Sequence, residues 1–571
     1  MLRYPQTKYV ENKDYFMQLK LVLPHFYVAD QITTSDLEQI AQQGIKTILC
    51  NRPDGEGVDQ PNVMEIEQAA SEKGITVNYL PVTSGKVSDE QAIEFKAVYQ
   101  AATKPVLAYC RSGTRSITLW ALSQADELPL EQMLLTAKNL GYDLQGVVPR
   151  ILKQTTTNTA SQKHTVVIVG AGAAGISVAA SLFSRKSDLD IAIIDPAETH
   201  YYQPGWTMVG GGIFQAESTA RPISSLIPKS VKWIKAAVAA FDPNAKQVIL
   251  EGCKPLGYDA LIVCPGLKLN WHGIEGLVET LGKNCVTSNY RYDLALYTWE
   301  LVQQLKGGKA IFTQPPMPIK CAGAPQKAMY LSADHWQKNN VLKDIQIDFY
   351  NTGAVLFGVP DYVSALMEYV KRYQANLHFN HQLIKVDGAK KRAWFKVIGS
   401  EPEQIIETDF DMLHVVPPQQ APDFIRASSL ADASGWVSVH PDSLQHTQFP
   451  DIFALGDVTN TTNAKTAAAA RKQAPIVAVN VLQHLQGSTQ FAHYDGYGSC
   501  PLTVERGKIV LAEFGYGGKL LPSFPAWLLD GKKPTRLAWM LKAQFLPPIY
   551  WQGMLKGHEW MVKPKPLTPS Q

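Results

Sequence analysis

The chain has 571 residues, 45% hydrophobic and 18% charged, a balance that fits a folded globular protein of roughly two to four domains and excludes a disordered or fibrous one. Its net charge of +3 is too small to argue for nucleic acid as a partner. Seven cysteines, at 50, 110, 253, 264, 285, 321 and 500, form no CxxC pair, which argues against a zinc site or a disulfide framework and leaves single reactive thiols. The first residues, MLRYPQTKYVENKDYF, lack the apolar stretch of an export signal. No apolar run approaches the ~20 residues of a membrane-spanning helix, so a cytoplasmic protein is expected.

Residues from about Pro24 to Pro149 read as a first unit, within a domain placed at 1–150. HFYVAD reads as a strand, and Ser35 as the N-cap of a helix through Gln43 that stops at Gly44. The strand IKTILC, the loop NRPDGEG, a helix over Asn62–Lys73 and the strand ITVNYLPV follow. Ser88 opens a helix to about Ala102, and the strand KPVLAYC delivers Cys110 into a turn before a helix from about Arg115. Alternating strands and helices predict an α/β layer fold with a parallel sheet. The loop CRSGTRS, its backbone N–H groups, the helix dipole, Arg111 and Arg115 would together stabilise a Cys110 thiolate. Asp54 reads as a general acid or, more simply, as a turn residue of PDG, and Cys50 as core.

Residues 151–163, Thr-rich and polar, read as a linker. A second region, 164–487, opens on HTVVIVGAGAAGISVAASLFSRKSDLDIAIIDP. A β-branched strand leads into Gly170, Gly172 and Gly175 in GxGxxG register, with Ala173 and Ala174 between them, and a helix follows. Gly170 serves the tight turn, Gly172 the approach of a pyrophosphate, and Gly175 the close packing of helix on strand. The helix N-terminus supplies N–H groups and positive potential. Asp195, at the end of the next strand, is placed to accept from an adenosine ribose. Over 284–410 a second strand–helix pattern recurs, in KAIFTQ, a helix through Ala324–Gln337, IQIDFYNT and a helix over Asp361–Tyr373. Its turn reads GAVLFGVPD, without GxGxxG, which argues against a nicotinamide site.

YDALIVCPG, ending at Gly266, and FPDIFALGDVTN, with Gly456 and Asp457, return to the first nucleotide domain, and a long helix follows from Lys465. Asp457 reads as a hydrogen-bond partner of a ribityl chain or phosphate-side ribose, or as a helix N-cap. The tail from Leu520 to Trp560, inside a last region 488–571, interleaves Trp527, Trp539, Trp551 and Trp560 with Lys532, Lys533, Arg536, Lys542 and Lys556. Leu537, Met540, Leu541 and Phe545 fall at helical spacing there. Such a segment suits monotopic docking on a membrane surface, and equally a helix capping the core.

GAGAAG with Asp195, YDALIVCPG and FALGDVTN together resemble the flavoproteins with two dinucleotide-binding domains. Within them, PIKCAGAPQKAMY (318–330) and YDGYGSCPLTVERGKIVLAEFGY (494–516) resemble the sulfide:quinone oxidoreductases, the branch similar to the mitochondrial enzyme, over about 164–560. The resemblance implies FAD, held by Gly170, Gly172, Ala173, Ala174, Gly175, Asp195, Gly266, Gly456, Asp457 and Lys465. It implies hydrogen sulfide and quinone as substrates, Cys321 and Cys500 as a redox pair, and peripheral attachment to the inner face of the membrane. Sulfide would open the Cys321–Cys500 bridge, leaving one cysteine as a persulfide and the other, Cys321, passing electrons to the flavin. The sulfur would leave to sulfite or a thiol such as glutathione.

NRPDGEG and CRSGTRS resemble the β-lactamase-hydrolase-like phosphatase family, whose fold is that of dual-specificity phosphatases. Tyr109 stands where those phosphatases place a His, and four residues, not five, separate Cys110 from Arg115. That shorter loop looks more like rhodanese, which implies a sulfurtransferase with Cys110 and Arg115 as its working residues. The expected chain is thus an α/β fusion of a phosphatase-fold domain, two Rossmann-type domains and a membrane-docking segment. The rival readings are an NAD(P)H-dependent FAD disulfide or quinone reductase, and an N-terminal phosphatase or docking module.

Overall fold

The computed structural model describes residues 18–58, 60–125, 127–128, 130–148, 150–151, 162–251 and 255–564. Cys253 and residues 152–161 of the expected linker lie outside the described residues. The chain divides into two units, Met1–Ala160 and Ser161–Gln571.

The first unit is built on strands β1 (Lys20–Leu23), β2 (Phe26–Ala29), β3 (Thr47–Cys50), β4 (Thr76–Tyr79) and β5 (Val106–Tyr109), in the order β1-β2-β5-β3-β4. All neighbours are parallel except β1 on β2. Helices α1 (Leu37–Gln42), α2 (Val63–Ser71), α3 (Asp89–Ala101), α4 (Thr114–Ser123) and α5 (Leu130–Asn139) complete it. The short apolar strands TILC and VLAY are buried throughout, as central strands covered on both faces must be. One face packs Phe26, Phe95 and Trp120, the other Ile40, Ile48 and Ile66.

Capping follows local chemistry. Asn62 and Glu65 exchange hydrogen bonds at the start of α2, as do Ser88 and Gln91 at α3. Ser35 is not the cap ahead of α1. Thr33 takes that role, its N–H and hydroxyl both donating to Asp36 at 2.7 and 2.8 Å, because an acid three residues on closes the reciprocal box and leaves Ser35 inside the first turn.

In the second unit, a seven-stranded sheet runs Lys232–Ile234, Ile191–Ile194, Gln162–Val169, Leu256–Val263, Gln247–Leu250 and Val238–Asp242, with Ile452–Ala454 added beside Leu256–Val263. That last pairing is parallel and closes the domain with a segment from nearly 200 residues downstream. A five-stranded, all-parallel sheet forms the second Rossmann-type layer, ordered Val286–Thr287, Met412–His414, Gly308–Gln314, Ile345–Asn351 and Asn376–Phe379. The hairpin Gly498–Glu505/Lys508–Phe514 packs Cys500, Leu502, Val504 and Val510 with Ala328 and Met329 of the helix Ala324–Lys338.

The tail runs as one uninterrupted helical stretch from Arg536 to Lys556 that alternates α- and π-type turns, with Pro547 and Pro548 in the middle. Trp551 is buried beneath Arg221, and Lys542 is buried and donates to the Pro204 carbonyl at 2.8 Å. Lys556 donates to Ser225 O. Trp551 and Lys542 are therefore not part of an outward basic-aromatic face, whereas Lys556 is exposed. Trp527 (85% exposed), Leu528, Leu537, Met540 and Phe545 do face outward, close in sequence to Lys532, Lys533 and Arg536. Among the described residues no helix is long and apolar enough to cross a membrane.

Candidate functional site

The two cysteines separated by 179 residues meet, with the sulfurs of Cys321 and Cys500 3.7 Å apart. They are in contact and unbonded, since a disulfide needs about 2.05 Å. Cys321 lies in the turn before the helix Ala324–Lys338, with a left-handed backbone at φ 52° that an L-residue rarely adopts. The turn is pinned from three sides. Cys321 N–H donates to Lys465 O at 2.9 Å, Ala324 N–H to Cys321 O at 2.7 Å, and the Tyr290 hydroxyl to Lys320 O at 2.7 Å. Cys500 comes from the hairpin, and Gly323 is what lets it approach, since a Cβ there would stand 2.5 Å from the Cys500 sulfur.

Two buried lysines face this pair. Lys327 Nζ donates to Cys321 Sγ at 3.2 Å. The Cys500 thiol, and Lys327 against the opposing effect of burial, hold Cys321 well below the usual thiol range. The same hydrogen bond to Cys321, with burial, pushes Cys500 up. The opposite directions of the two shifts favour a thiolate on Cys321 over one on Cys500. Burial, reinforced by repulsion from Lys327, brings Lys542 down to about 7. The site therefore sets Cys321, whose thiolate is favoured, beside the Lys327 cation and an amine that titrates near neutrality.

Cys321, Lys327 and Lys542 line one cavity of about 810 Å³ that continues to the nucleotide glycines, at the upper end of the size range of cofactor sites. Gly172, Ala173, Ala174, Asp195, Gly266, Gly456, Asp457 and Lys465 are all on its wall. Gly170 and Gly175 sit behind it as packing residues. A Cβ on Gly175 would fall 1.8 Å from Gly170 O, and one on Gly170 would fall 2.6 Å from Cys264 O. Nothing lies within 4 Å of a Cβ on Gly172, which leaves its face of the cavity free for a pyrophosphate.

The Asp195 carboxylate accepts from Ala171 N–H at 2.7 Å and Ala197 N–H at 2.8 Å, so it also shapes the glycine loop. Asp457 is not the N-cap of the long helix Ala467–Leu485. Thr466 is, its hydroxyl accepting from Ala469 N–H at 3.2 Å. Asp457 stands free of that duty in a short turn on the cavity wall, its carboxyl pushed up by burial despite Lys320 and Lys465 nearby. Burial brings Lys465 down to about 8.

The donor set suits FAD. Trp206 Nε1, Thr207 Oγ1, Asn289 Oδ1 and Arg471 Nε are buried without a partner among the described residues, and all four belong to residues on the cavity wall. Unpaired polar atoms at that density call for a polar ligand. His200 ties the tail to the glycine loop. Its Nδ1 donates to the Ala171 carbonyl at 3.2 Å and its Nε2 accepts from the Tyr550 hydroxyl at 2.6 Å. Burial keeps this ring neutral, with a pKa of about 4.

In the first unit, Cys110 is buried at the end of β5, and Gly113, at φ 75°, turns the loop into α4. Arg115 is also buried and is already paired, Nη1 with Glu56 Oε1 at 2.8 Å and Nη2 with Glu56 Oε2 at 2.7 Å. Asp54 is a turn residue here, its carboxylate accepting from Val63 N–H at 2.9 Å at the start of α2. Cys50 is core.

Lys327, His200, Glu56 and Gly323 were not named as site residues from the sequence, and Lys542 was named only as a basic residue of the tail. The two lysines carry a signal in retrospect, each a lone cation within an apolar stretch, KAMYL and WMLKAQF. Glu56 carried none, because a Glu in a Gly-rich loop reads as solvated.

Residues 18–127 match the family described as "Beta-lactamase hydrolase-like protein, phosphatase-like domain", and residues 164–302 match "Pyridine nucleotide-disulphide oxidoreductase". The chain is 40% identical over 450 residues to the mitochondrial sulfide:quinone oxidoreductase of Dictyostelium discoideum, covering 78% of this chain and 95% of that protein. The mouse (Mus musculus) mitochondrial sulfide:quinone oxidoreductase is 36% identical over 400 residues, covering 70% and 88%. A 119-residue stretch is 30% identical to a beta-lactamase hydrolase-like protein of Agrobacterium fabrum, 20% of this chain and 28% of that protein. The crystal structure of the Aquifex aeolicus sulfide:quinone oxidoreductase has the same fold, with a TM-score of 0.59 at 19% identity over 70% of this chain and 92% of that one.

Proposed function

From the premise that this chain belongs to the sulfide:quinone oxidoreductase family, we propose that Cys321 and Cys500 are the pair through which it oxidises sulfide. The protein is an FAD-dependent enzyme that takes electrons from sulfide and gives them to quinone. The observation that carries the cysteine assignment is the sulfur–sulfur contact beside Lys327 on the wall of the nucleotide cavity.

In the oxidised enzyme, HS⁻ attacks Cys500 of the bridge. The S–S bond breaks, Cys500 becomes a persulfide and Cys321 leaves as a thiolate. Lys327 stabilises that leaving thiolate, and the buried pocket keeps water from competing. Lys542, with its pKa of about 7, accepts the proton that sulfide brings in. When bound, FAD supplies the two-electron link between the thiolate and quinone. Gly172, Ala173, Ala174, Gly266, Gly456, Asp457 and Lys465 would line its site, with Asp195 and His200 holding the glycine loop.

Cys110 serves as a sulfur carrier that takes the persulfide sulfur and passes it to sulfite or a small thiol such as glutathione. The short C-x4-R loop supports this over phosphate-ester cleavage. The outward apolar residues Trp527, Leu537, Met540 and Phe545 dock the protein on a membrane surface, on the cytoplasmic face, where quinone is reached from lipid. Anaerobic addition of sulfide to the purified holoenzyme tests the central assignment. The flavin of the wild type bleaches, and that of Cys321→Ser or Cys500→Ser does not. Bleaching at the wild-type rate in either variant refutes it.

A further inference from the structure

The strand that brings Cys500 to Cys321 has a second face. Tyr497, just before the strand Gly498–Glu505, and Ser499 and Pro501 within it follow one another at every second position and line the large cavity. Cys500, between them, meets Cys321 instead. Tyr497 ends on a carboxylate. Its hydroxyl donates to Glu513 Oε1 at 2.6 Å, and the Ser523 hydroxyl donates to the same oxygen at 2.5 Å. Ser523 N–H donates to the other oxygen at 3.1 Å. Glu513 is 5% exposed, and among the described residues its carboxylate is held by these neutral donors alone. Its backbone is clamped by Tyr362, whose hydroxyl accepts from Glu513 N–H and donates to Glu513 O, both at 3.0 Å. Ser523 is exposed, so the oxygens of Ser523, Glu513 and Tyr497 connect the surface to the cavity.

This arm of the cavity is otherwise apolar, lined by Leu520, Phe524, Leu541 and Leu546. Met540 and Phe545, each one residue before a wall residue, face outward, as does Trp527. The surface proposed to meet lipid and the cavity wall are thus the same pieces of chain, and an apolar substrate entering there arrives beside Tyr497. Reducing a quinone to a quinol takes two electrons and two protons. The quinone receives two electrons and one proton, as a hydride equivalent, from the reduced flavin, and the second proton has to come from the protein. The cavity wall carries Asp195, Asp457, Asp495 and Glu513. Asp195 holds the glycine loop, Asp495 pairs with Lys472, and Asp457 lies near Lys320 and Lys465. Glu513 is the carboxylate among them with no such partner.

We propose that Glu513 supplies the proton for quinone reduction and that Tyr497 relays it to the quinone oxygen. This rests on the quinone-reducing reading above and names its proton path. Glu513 takes up a proton from water through Ser523. It passes that proton to Tyr497 as the Tyr497 O–H gives its own to the oxygen of the quinol anion, which leaves neutral quinol and a Glu513 carboxylate ready to be protonated again. Burial and the Glu513 carboxylate push the Tyr497 phenol up, so it parts with a proton only as it gains one.

The test uses the FAD-loaded full chain as wild type, Glu513→Gln and Tyr497→Phe. Flavin reduced by sulfide is reoxidised in a stopped-flow instrument by a soluble short-chain ubiquinone or by ferricyanide, which takes electrons without protons. Each variant should slow reoxidation by the quinone at least roughly tenfold and leave reoxidation by ferricyanide unchanged. Quinone binding to the oxidised protein, measured by calorimetry without sulfide, should be unchanged in Glu513→Gln. Tyr497→Phe keeps the ring and carries the test if Glu513→Gln does not fold. Equal slowing with both acceptors, or a loss of quinone binding that accounts for the slower rate, makes Glu513 a structural clip and overturns the proposal. Quinone rates at the wild-type level in either variant overturn it as well, while leaving quinone reduction standing. Wild-type flavin that ferricyanide reoxidises and quinone does not refutes the quinone reading itself.

Discussion

Replacing Lys327 with Met removes a cation and keeps the length of the side chain. The lysine is buried and donates to Cys321 Sγ at 3.2 Å. A hydrogen bond to a charged group contributes roughly 1.5–3 kcal/mol, and one pKa unit corresponds to about 1.4 kcal/mol, so Cys321 should titrate about one to two units higher in Lys327→Met. The Cys500 thiol remains as the second stabilising donor, so the thiolate is weakened rather than abolished. The sign follows from the lowered pKa. The thiolate exists above the folded-state value and is lost as pH falls through it, so the substitution moves that window upward and shrinks the thiolate fraction at neutral pH. The assay is the pH dependence of Cys321 alkylation by iodoacetamide in the reduced holoenzyme, read peptide by peptide by mass spectrometry. Sulfide-driven flavin bleaching at pH 7 should slow by roughly ten- to a hundredfold, on the same one-to-two-unit basis, and recover as pH rises. A midpoint unchanged from wild type, in protein that melts normally, refutes the role given to Lys327.

Gly175→Ala forces a Cβ to within 1.8 Å of Gly170 O and should destabilise the second unit by about 1–3 kcal/mol through overpacking, with loss of bound FAD read from the 450 nm absorbance. Tyr550→Phe removes the donor to His200 and should cost about 1–2 kcal/mol of stability, seen as a lower melting temperature of the holoenzyme with the fold intact. Deleting the tail from Leu520 is a poor test of membrane docking, because Tyr550, Trp551, Met554 and Leu555 belong to the core. The combined surface substitution Trp527→Ser, Met540→Ser and Phe545→Ser should instead cut co-sedimentation with anionic lipid vesicles at least tenfold while soluble short-chain quinones are still reduced, and unchanged sedimentation would place docking elsewhere. Cys110→Ser should leave sulfide-driven flavin reduction intact and abolish added sulfur on that peptide, and slower bleaching would mean that the two units are coupled in the first half-reaction.

Much of the fold was legible because its signals are local. The GxGxxG turn, the β-branched strands Val166–Val169 and Ile191–Ile194, and the caps at Asn62 and Ser88 each declare themselves within a few residues, since backbone sterics and capping bonds act at that range. Cys321, Cys500 and the glycines of the cavity were named as site residues from local motifs and the resemblance they carry. Ser35 was misjudged as a cap for the same local reason, because Thr33, two residues away, closes the capping box with Asp36.

What only the tertiary structure decided is who meets whom. The chain spacing of 179 residues says nothing about a 3.7 Å contact, which requires the hairpin to pack on the helix Ala324–Lys338 and requires Gly323 to have no side chain. The sign and function of a charge are equally non-local. Lys542 reads as one of several basic residues of a membrane-facing tail, yet burial beside Lys327 turns it into an amine that titrates near neutrality. Glu56 reads as a solvated loop residue, yet two guanidinium groups converge on it. Periodicity and turn chemistry are written along the chain, so the sequence determined the layers and the nucleotide turn. Desolvation and pairing depend on residues far away in the chain, so the perturbed pKa values and the pairing of Glu56 with Arg115 were decided only when the chain folded.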